Sequence, residues 1–409
     1  MGAGGAGGAG GTPLRCSELS VVGPPLGIAD DAAYHQYLPR LSLSSDDGAR
    51  VTIVSLRTHA QIATPTEIRH SSLEPWQDFP AGETLSQGSV AQSNAGVSVA
   101  AARAGGDHFA LAFDVGTASG GIAFSPGFTP YSSEVPPAEL LDPVAHQPLF
   151  VAQGPGGHLV GTQIVGAPGI GDPAVLRVAV VGEDGSQQGP VDVGCATDAM
   201  NADAVGAGDR WIMAMSNGTP FGTLDCNAPE ISFPDEVQII VAKTLSIVQT
   251  DTLSPPAGDM KMAPRSDGAW LVVSTIPGQV PKPLFQAVRI DLEGHVVSMF
   301  PVGSPSPEED IPLPGTLAVA GVDDHLVTAW VDVAGDKGPF IKVSVLDPEG
   351  APLGTVQVFA TPDHALSGAP ALVGSPVSRS ALLAWSESSA VASAGNRIRA
   401  VRIDCVGQP

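Results

Sequence analysis

The chain is predicted to be all-β and to fold as a single β-propeller of seven four-stranded blades, with six or eight as alternative counts, closed by its N-terminal strand. Three observations predict this. A small polar turn followed at once by a short apolar run occurs seven times along the 409 residues. From Gly106 onward the turns begin at 106, 156, 208, 267, 323 and 378, a period of 50 to 59 residues that holds only strand-type segments. Gly (49) and Pro (38) also exceed ordinary usage, as many short strands joined by tight turns require.

Residues 1–15, beginning MGAGGAGGAGG, lack the charged and apolar regions of a signal peptide and read as a flexible Gly/Ala tether. Residues 16–409 are assigned to the propeller. The turns and runs are Asp47-Gly48-Ala49-Arg50 before VTIVSL, Gly106-Asp107-His108 before FALAF, and Gly156-Gly157-His158 before LVGTQIV. They continue with Gly208-Asp209-Arg210 before WIMAM and Asp267-Gly268-Ala269 before WLVV. The last two are Asp323-Asp324-His325 before LVTAW and Ser378-Arg379-Ser380 before ALLAW. Each turn is read as the hairpin between strands A and B of a blade, and each apolar run as strand B in the buried middle of the sheet.

Strand C follows a loop of variable length and ends in an acidic or Gly turn. It is seen at Leu176–Val181, at Phe285–Ile290 before Asp291-Leu292-Glu293-Gly294, and at Ile341–Leu346 before Asp347-Pro348-Glu349-Gly350. In the second blade it shrinks to Gly121–Phe124. In the last blade it spans Ile398–Ile403, and too few residues follow Cys405 for a strand D. Glu18–Val22 at the other end of the chain is the expected substitute. Cys16 and Cys405 then lie where a hairpin would join C to D, and a Cys16–Cys405 disulfide locks the seam.

The remaining cysteines, Cys195 and Cys226, are read as a second disulfide. It staples the longest B–C loop, Ser216–Asp235, to the D-to-A crossing before it. Four widely spaced cysteines with no CxxC and no nearby His disfavour zinc and imply an oxidising, extracytoplasmic compartment. The export signal this requires is not in the chain.

Lys and Arg number 19 against 42 Asp and Glu, a net charge of −23, which disfavours nucleic acid and anionic lipid as partners. No apolar run is long enough for a membrane-spanning helix. A monomer is expected.

Function is expected on the face that carries the variable B–C loops and the crossings between blades, since variable loops on a rigid scaffold are where binding resides. The candidate ligand-binding residues are Asn217, Asp225, Glu230 and Asp235 in the longest loop. To these are added Asp142 and His146 from Pro126–Pro148, and Glu309 and Asp310 from Gly303–Pro314. No metal or cofactor is assigned; Ca²⁺ held by converging loop carboxylates is the weak alternative. His108, His158 and His325 repeat one turn position around the ring, so they do not form a cluster. Trp211, Trp270, Trp330 and Trp385 recur in strand B as packing residues. Asn217-Gly218-Thr219 matches the N-glycosylation pattern, which a bacterial origin would leave unused and which chance often produces.

Two fragments, Ser44-Ser45-Asp46-Asp47-Gly48 and Ser266-Asp267-Gly268-Ala269-Trp270, resemble incomplete Asp-boxes of sialidases and related propellers. That family implies an arginine cluster and a tyrosine nucleophile, and none of Tyr34, Tyr37 and Tyr131 lies in a matching context. GxSxG, HExxH and P-loop motifs are absent as well. Over residues 17 to 407, the repeat of turn, apolar strand and D-x-x-G resembles exported bacterial repeat propellers, a resemblance that implies fold alone.

The expected function is a non-enzymatic extracytoplasmic binding or scaffold protein recognising a protein or cell-surface glycan. The alternative is a carbohydrate-active hydrolase or lyase with paired axial carboxylates. If the seam disulfide forms, Cys405→Ser lowers stability to chemical denaturation by roughly 3–5 kcal/mol; an unchanged unfolding midpoint would show that the two thiols are not bonded.

Overall fold

The computed structural model describes residues 16–29, 34–43, 50–59, 66–76, 86–93, 97–101, 108–116, 122–124, 127–130, 146–164, 174–182, 186–220, 236–243, 245–254, 257–275, 285–302, 310–313, 315–334, 338–360, 362–375, 378–389 and 395–407. Its elements are all strands. β1 (Cys16–Ala29) is followed by the sheet β2 (Tyr34–Leu43), β3 (Val51–His59), β4 (Thr66–Leu73) and β5 (Ser86–Ser93). Next come β6 (Val97–Ala101), β7 (His108–Gly116), β8 (Ile122–Phe124) and β9 (Gly127–Pro130), with β8 and β9 both paired to β7.

A long sheet then runs β10 (His146–Gly154), β11 (Gly157–Ile164), β12 (Ala174–Val181), β13 (Gln187–Ala207), β14 (Arg210–Pro220), β15 (Val237–Lys243) and β16 (Ser246–Leu253). It is followed by β17 (Ala257–Arg265), β18 (Gly268–Thr275), β19 (Phe285–Asp291) and β20 (Val296–Val302). After these come β21 (Asp310–Pro312), β22 (Ala318–Val322), β23 (His325–Ala334), β24 (Gly338–Leu346) and β25 (Pro352–Phe359). The last three strands are β26 (His364–Gly374), β27 (Ser380–Ser389) and β28 (Arg397–Gly407).

The molecule is a single propeller, but among the described residues its strands form six blades rather than the expected seven. The reason is β13. At 21 residues it runs without interruption from the outer edge of one four-strand repeat to the inner edge of the next, fusing both into a sheet of seven strands. The inner strands nevertheless touch in a closed circuit, from β2 through β6, β10, β13, β17, β22 and β26 and back to β2.

Burial follows position in the sheet. The middle strands β15, β24 and β27 are almost continuously buried. The outer strands β16, β20 and β25 alternate, leaving Val248, Val297, Met299 and Phe359 exposed. A strand sandwiched on both faces needs an apolar run, whereas one on the rim needs only alternation. The largest wholly buried side chains include Trp211, Trp270 and Trp385, all on second strands as expected. Each such burial contributes about 1.5–3 kcal/mol or more.

The turns follow their sequence chemistry. In Asp291-Leu292-Glu293-Gly294 the Gly294 amide donates to the Asp291 carbonyl at 3.0 Å, and the Asp291 carboxylate accepts from the His295 amide at 2.8 Å. Asp347 does the same for Gly350 and Ala351 at 2.9 and 2.7 Å. Gly294 and Gly350 have φ of 85° and 88°, the left-handed region that glycine enters without steric cost. Both also sit tight on the neighbouring blade: a methyl group at Gly294 would collide with Val241 and Thr250, and one at Gly350 with Phe300.

The N-terminal strand closes the ring, as expected. β1 pairs antiparallel with β28, with Leu19 opposite Cys405 and Cys16 opposite Gly407. Several expected loops are strand instead. Ser216–Pro220 continues β14, with Thr219 opposite Cys195, so Cys195 lies inside β13 and not in a crossing. The second blade's third strand is longer than expected, because β9 resumes the pairing after a break. Asp310 starts β21, and the segment from His364 onward is β26. Extra pairing satisfies backbone amides that a buried loop would leave without partners. No helix among the described residues is long and apolar enough to cross a membrane.

Successive inner strands meet at equivalent residues. Gln153, Gly206, Pro264, Gly321 and Gly374 each stand at or next to the end of an inner strand. A methyl group added at Gly206 would strike the Gln153 carbonyl, at Gly321 the Pro264 carbonyl, and at Gly374 the Gly321 carbonyl. Gly321→Ala should therefore cost about 1–3 kcal/mol, read as a lowered midpoint in urea unfolding. A midpoint equal to that of the parent protein would disprove this tight contact.

Candidate functional site

Most loop residues singled out from sequence lie outside the described residues: Asp142, Asp225, Glu230, Asp235 and Glu309, together with Cys226 and the fragment Ser44–Gly48. The backbones of Asn217, His146 and Asp310 are described, and they lie in β14, β10 and β21, not in loops. Among the described residues, no group of three or more His, Cys, Asp or Glu side chains is placed to hold a metal ion.

The inner strands supply a different site. Counting three residues back from each of the equivalent contact positions reaches Phe150, Asp203, Lys261, Ala318 and Ala371, which therefore share one level of the ring. All five line an axial cavity of about 340 Å³, together with Arg40 from β2. Inner strands run from the loop-bearing face toward the A–B turns, so this level lies on the loop side of the contact positions, three residues from them. Asn201 and Asp259 line the same cavity. They sit two residues further toward the loops, on the same face of their strands because side chains alternate with period two.

The charges here are fixed with unequal care. The Asp203 carboxylate accepts the Met262 amide at 2.8 Å and the Ala204 amide at 3.0 Å. Burial pushes its pKa above the ordinary carboxylate range, opposed by the nearby Lys261 ammonium and by those two amides. Asp259 accepts the Gly315 amide, and Asn201 donates to the Gly258 carbonyl at 2.6 Å. Arg40 differs. Its guanidinium donates only to the adjacent Pro39 carbonyl at 3.1 Å, and burial lowers its pKa with no carboxylate to offset the loss of water.

A second axial cavity of about 520 Å³ opens toward the A–B turns, lined by Arg265, Ser266, Asp323 and Asp324 among others. Leu41, Val319 and Leu372 line both cavities and form an apolar girdle between them. The polar groups at this end are bound to one another. Ser266 donates through its amide and hydroxyl to Asp324 at 2.7 and 2.6 Å, and Trp270 Nε1 donates to the Asp324 carbonyl at 2.9 Å. Arg265 stacks on Trp270 at 4.6 Å and binds Asp267 at 2.8 Å, and Arg379 reaches Asp323 at 3.2 Å. The arginine hydrogen bonds, those of Arg265 first, hold the Asp267 carboxyl below its ordinary pKa. The fragment that resembled an Asp-box thus joins neighbouring blades.

Sequence reasoning missed one further feature. On β23 and β27 a carboxylate follows a tryptophan by two residues, on the same face: Trp330-Val331-Asp332 and Trp385-Ser386-Glu387. Both acids are buried, Asp332 at 1 % and Glu387 at 0 % exposure. Each accepts its tryptophan's indole N–H, at 3.3 and 3.0 Å. A base on the next strand lies opposite each tryptophan, Lys342 or Arg399. Arg397 bonds Glu387 at 3.1 Å. Glu387→Gln keeps the shape but strips the arginines of their counter-charge. It should destabilise the fold by about 3 kcal/mol in urea titration; a loss under about 1 kcal/mol would show the acid to be dispensable.

No family model and no curated protein matches the chain. Among solved structures it is similar to a protein of unknown function from Dyadobacter fermentans, at 10 % identity over 95 % of this chain and 99 % of that one, with a TM-score of 0.49. It is also similar to the β-propeller domain of the Trilobed protease from Pyrococcus furiosus, at 8 % identity over 90 % and 94 % of the two chains, with a TM-score of 0.48. A subtype N11 neuraminidase-like protein of A/flat-faced bat/Peru/033/2010 is similar at 10 % identity over 97 % and 96 %, with a TM-score of 0.46. At these identities the activities of those proteins remain their own.

Proposed function

We propose that this propeller is a non-enzymatic, extracytoplasmic binding or scaffold protein that recognises a protein or cell-surface glycan on its loop-bearing face. The observation that carries the reading is the axial cavity under that face, where Arg40, Asp203, Asp259 and Lys261 line one concave space. Convergent charged groups in a preformed cavity are the ordinary anatomy of a recognition site. No cofactor enters the reading, and the net charge of −23 disfavours nucleic acid as a partner.

The two disulfides belong to the same proposal. Cys16–Cys405 is supported by the pairing of β1 with β28, and Cys195–Cys226 by the position of Cys195 beside the end of β14. Among the described residues no cysteine is free.

The second reading, a carbohydrate-active hydrolase or lyase, is favoured by one observation: Asp203, with its raised pKa, shares a cavity with Asp259. Against it, Asp203 is held by two backbone amides and Asp259 by a third, the arrangement of anchored acceptors. Incubation with a panel of polysaccharides separates the two. Retention of intact chains on the immobilised protein, without new reducing ends or unsaturated products, is expected. Chain scission that disappears in Asp203→Asn would replace binding with catalysis.

A further inference from the structure

We infer that the axial cavity on the loop-bearing side binds a carboxylated sugar, a hexuronate unit, with Arg40 as the anchor for its carboxylate. The inference deepens the binding reading above and rests on it. Three observations lead to it, and the first is the isolation of Arg40. A guanidinium carries five donors, and here only the Pro39 carbonyl takes one, at 3.1 Å. It forms no ion pair among the described residues, although the chain holds 42 carboxylates. Other described arginines are paired: Arg265 with Asp267, Arg397 with Glu387, Arg402 with Asp404. A charge withdrawn from water without a partner is costly, and a ligand carboxylate would supply that partner through charge-assisted hydrogen bonds.

The second observation is the balance of the lining. Arg40 and Lys261 are matched in number by Asp203 and Asp259, so the described lining of the cavity carries no net formal charge. A phosphate or sulfate dianion, or a polyanion, would meet two carboxylates as well as the guanidinium. A single carboxylate fits this field if the rest of the ligand is uncharged.

The third is the state of the acceptors. Asp203 already accepts two amides and faces Lys261, and Asp259 accepts one amide. Their remaining lone pairs suit hydroxyl donors; a full ammonium would have to compete with Lys261. Sugar hydroxyls meet that description, and Leu41, Leu149 and Phe150 offer an apolar wall for the C–H face of a pyranose ring. A volume of about 340 Å³ accommodates one sugar residue.

The test is titration of the full chain by ligand-observed NMR or calorimetry with D-glucuronate and D-galacturonate. Glucose, alanine and N-acetylalanine are the comparison probes, and Arg40→Gln is run beside the parent. Uronate binding with no response to glucose is expected, weakened ~10–100-fold in Arg40→Gln, as loss of a charge-assisted contact implies. The unliganded variant should also melt at a higher temperature than the parent, because it no longer buries an unpaired charge. A variant that melts lower would make Arg40 structural and overturn the proposal. So would binding of N-acetylalanine or alanine in place of uronate, and so would uronate binding that is unchanged in Arg40→Gln. Failure here is distinguishable from failure of the broader reading. A protein that retains glycans equally well after their carboxyls are reduced to alcohols overturns the uronate site and leaves the binding face standing. A protein that binds neither glycans nor uronates loses both.

Discussion

The close approach of successive inner strands is the constraint on which the rest of the molecule depends. Where Gly206 faces Gln153, Gly321 faces Pro264 and Gly374 faces Gly321, backbone meets backbone with no side chain between. That contact sets how near each blade lies to the next and therefore how wide the axis is. It also puts every residue a fixed count upstream at a common height. Asp203 and Lys261 oppose each other because they are each three residues from such a contact. A side chain larger than hydrogen at these glycines would spread the ring, and the axial cavities would change shape with it.

Packing at the outer rim is governed by a second close contact. The turns at Gly294 and Gly350 sit against Thr250 and Phe300 of the preceding blade, and Thr250 Oγ1 donates to the Gly294 carbonyl at 2.8 Å. Inner and outer contacts together fix the tilt of each blade at two radii. Between them lie the apolar middle strands, where tryptophans fill the space between sheets. Trp330 packs on Phe285 at 5.2 Å across a blade boundary, and Trp270 on Phe300 at 6.2 Å within one blade. The buried acids Asp332 and Glu387 satisfy two of the tryptophan N–H groups that this packing would otherwise leave dry.

The fold was legible in the sequence wherever local chemistry decides it. Turn glycines with positive φ, Asp291 and Asp347 capping their own turns, and the apolar second strands all announce themselves within a few residues. The closing strand was legible because β28 visibly lacked a partner. The blade count was not, because β13 stays extended through the irregularity between Ala196 and Asn201, where no glycine or proline marks an end. The candidate site was the least legible part. The conspicuous carboxylates lie in loops, whereas the cavity is lined from inner strands such as Asp259–Pro264, whose alternation of polar and apolar residues looks like any exposed strand. Arg40 lies in the first repeat and carries no motif. Only the Trp-x-acid pattern on β23 and β27 offered a signal, and it becomes meaningful once Lys342 and Arg399 are seen on the adjacent strand.

The seam also determines how the ring would respond to force. β1 and β28 are antiparallel, with the first residue of one, Cys16, opposite the last residue of the other, Gly407. A pull applied through the two ends of the propeller therefore loads a single rung of the ladder at a time, peeling the pair open instead of shearing all its hydrogen bonds at once. Such a ring is mechanically soft at one point and stiff everywhere else. The proposed link between Cys16 and Cys405 falls at the mouth of that ladder, where one covalent rung would carry the load before any hydrogen bond does. Under load applied at the two ends, that rung would turn the weakest joint into a clamp.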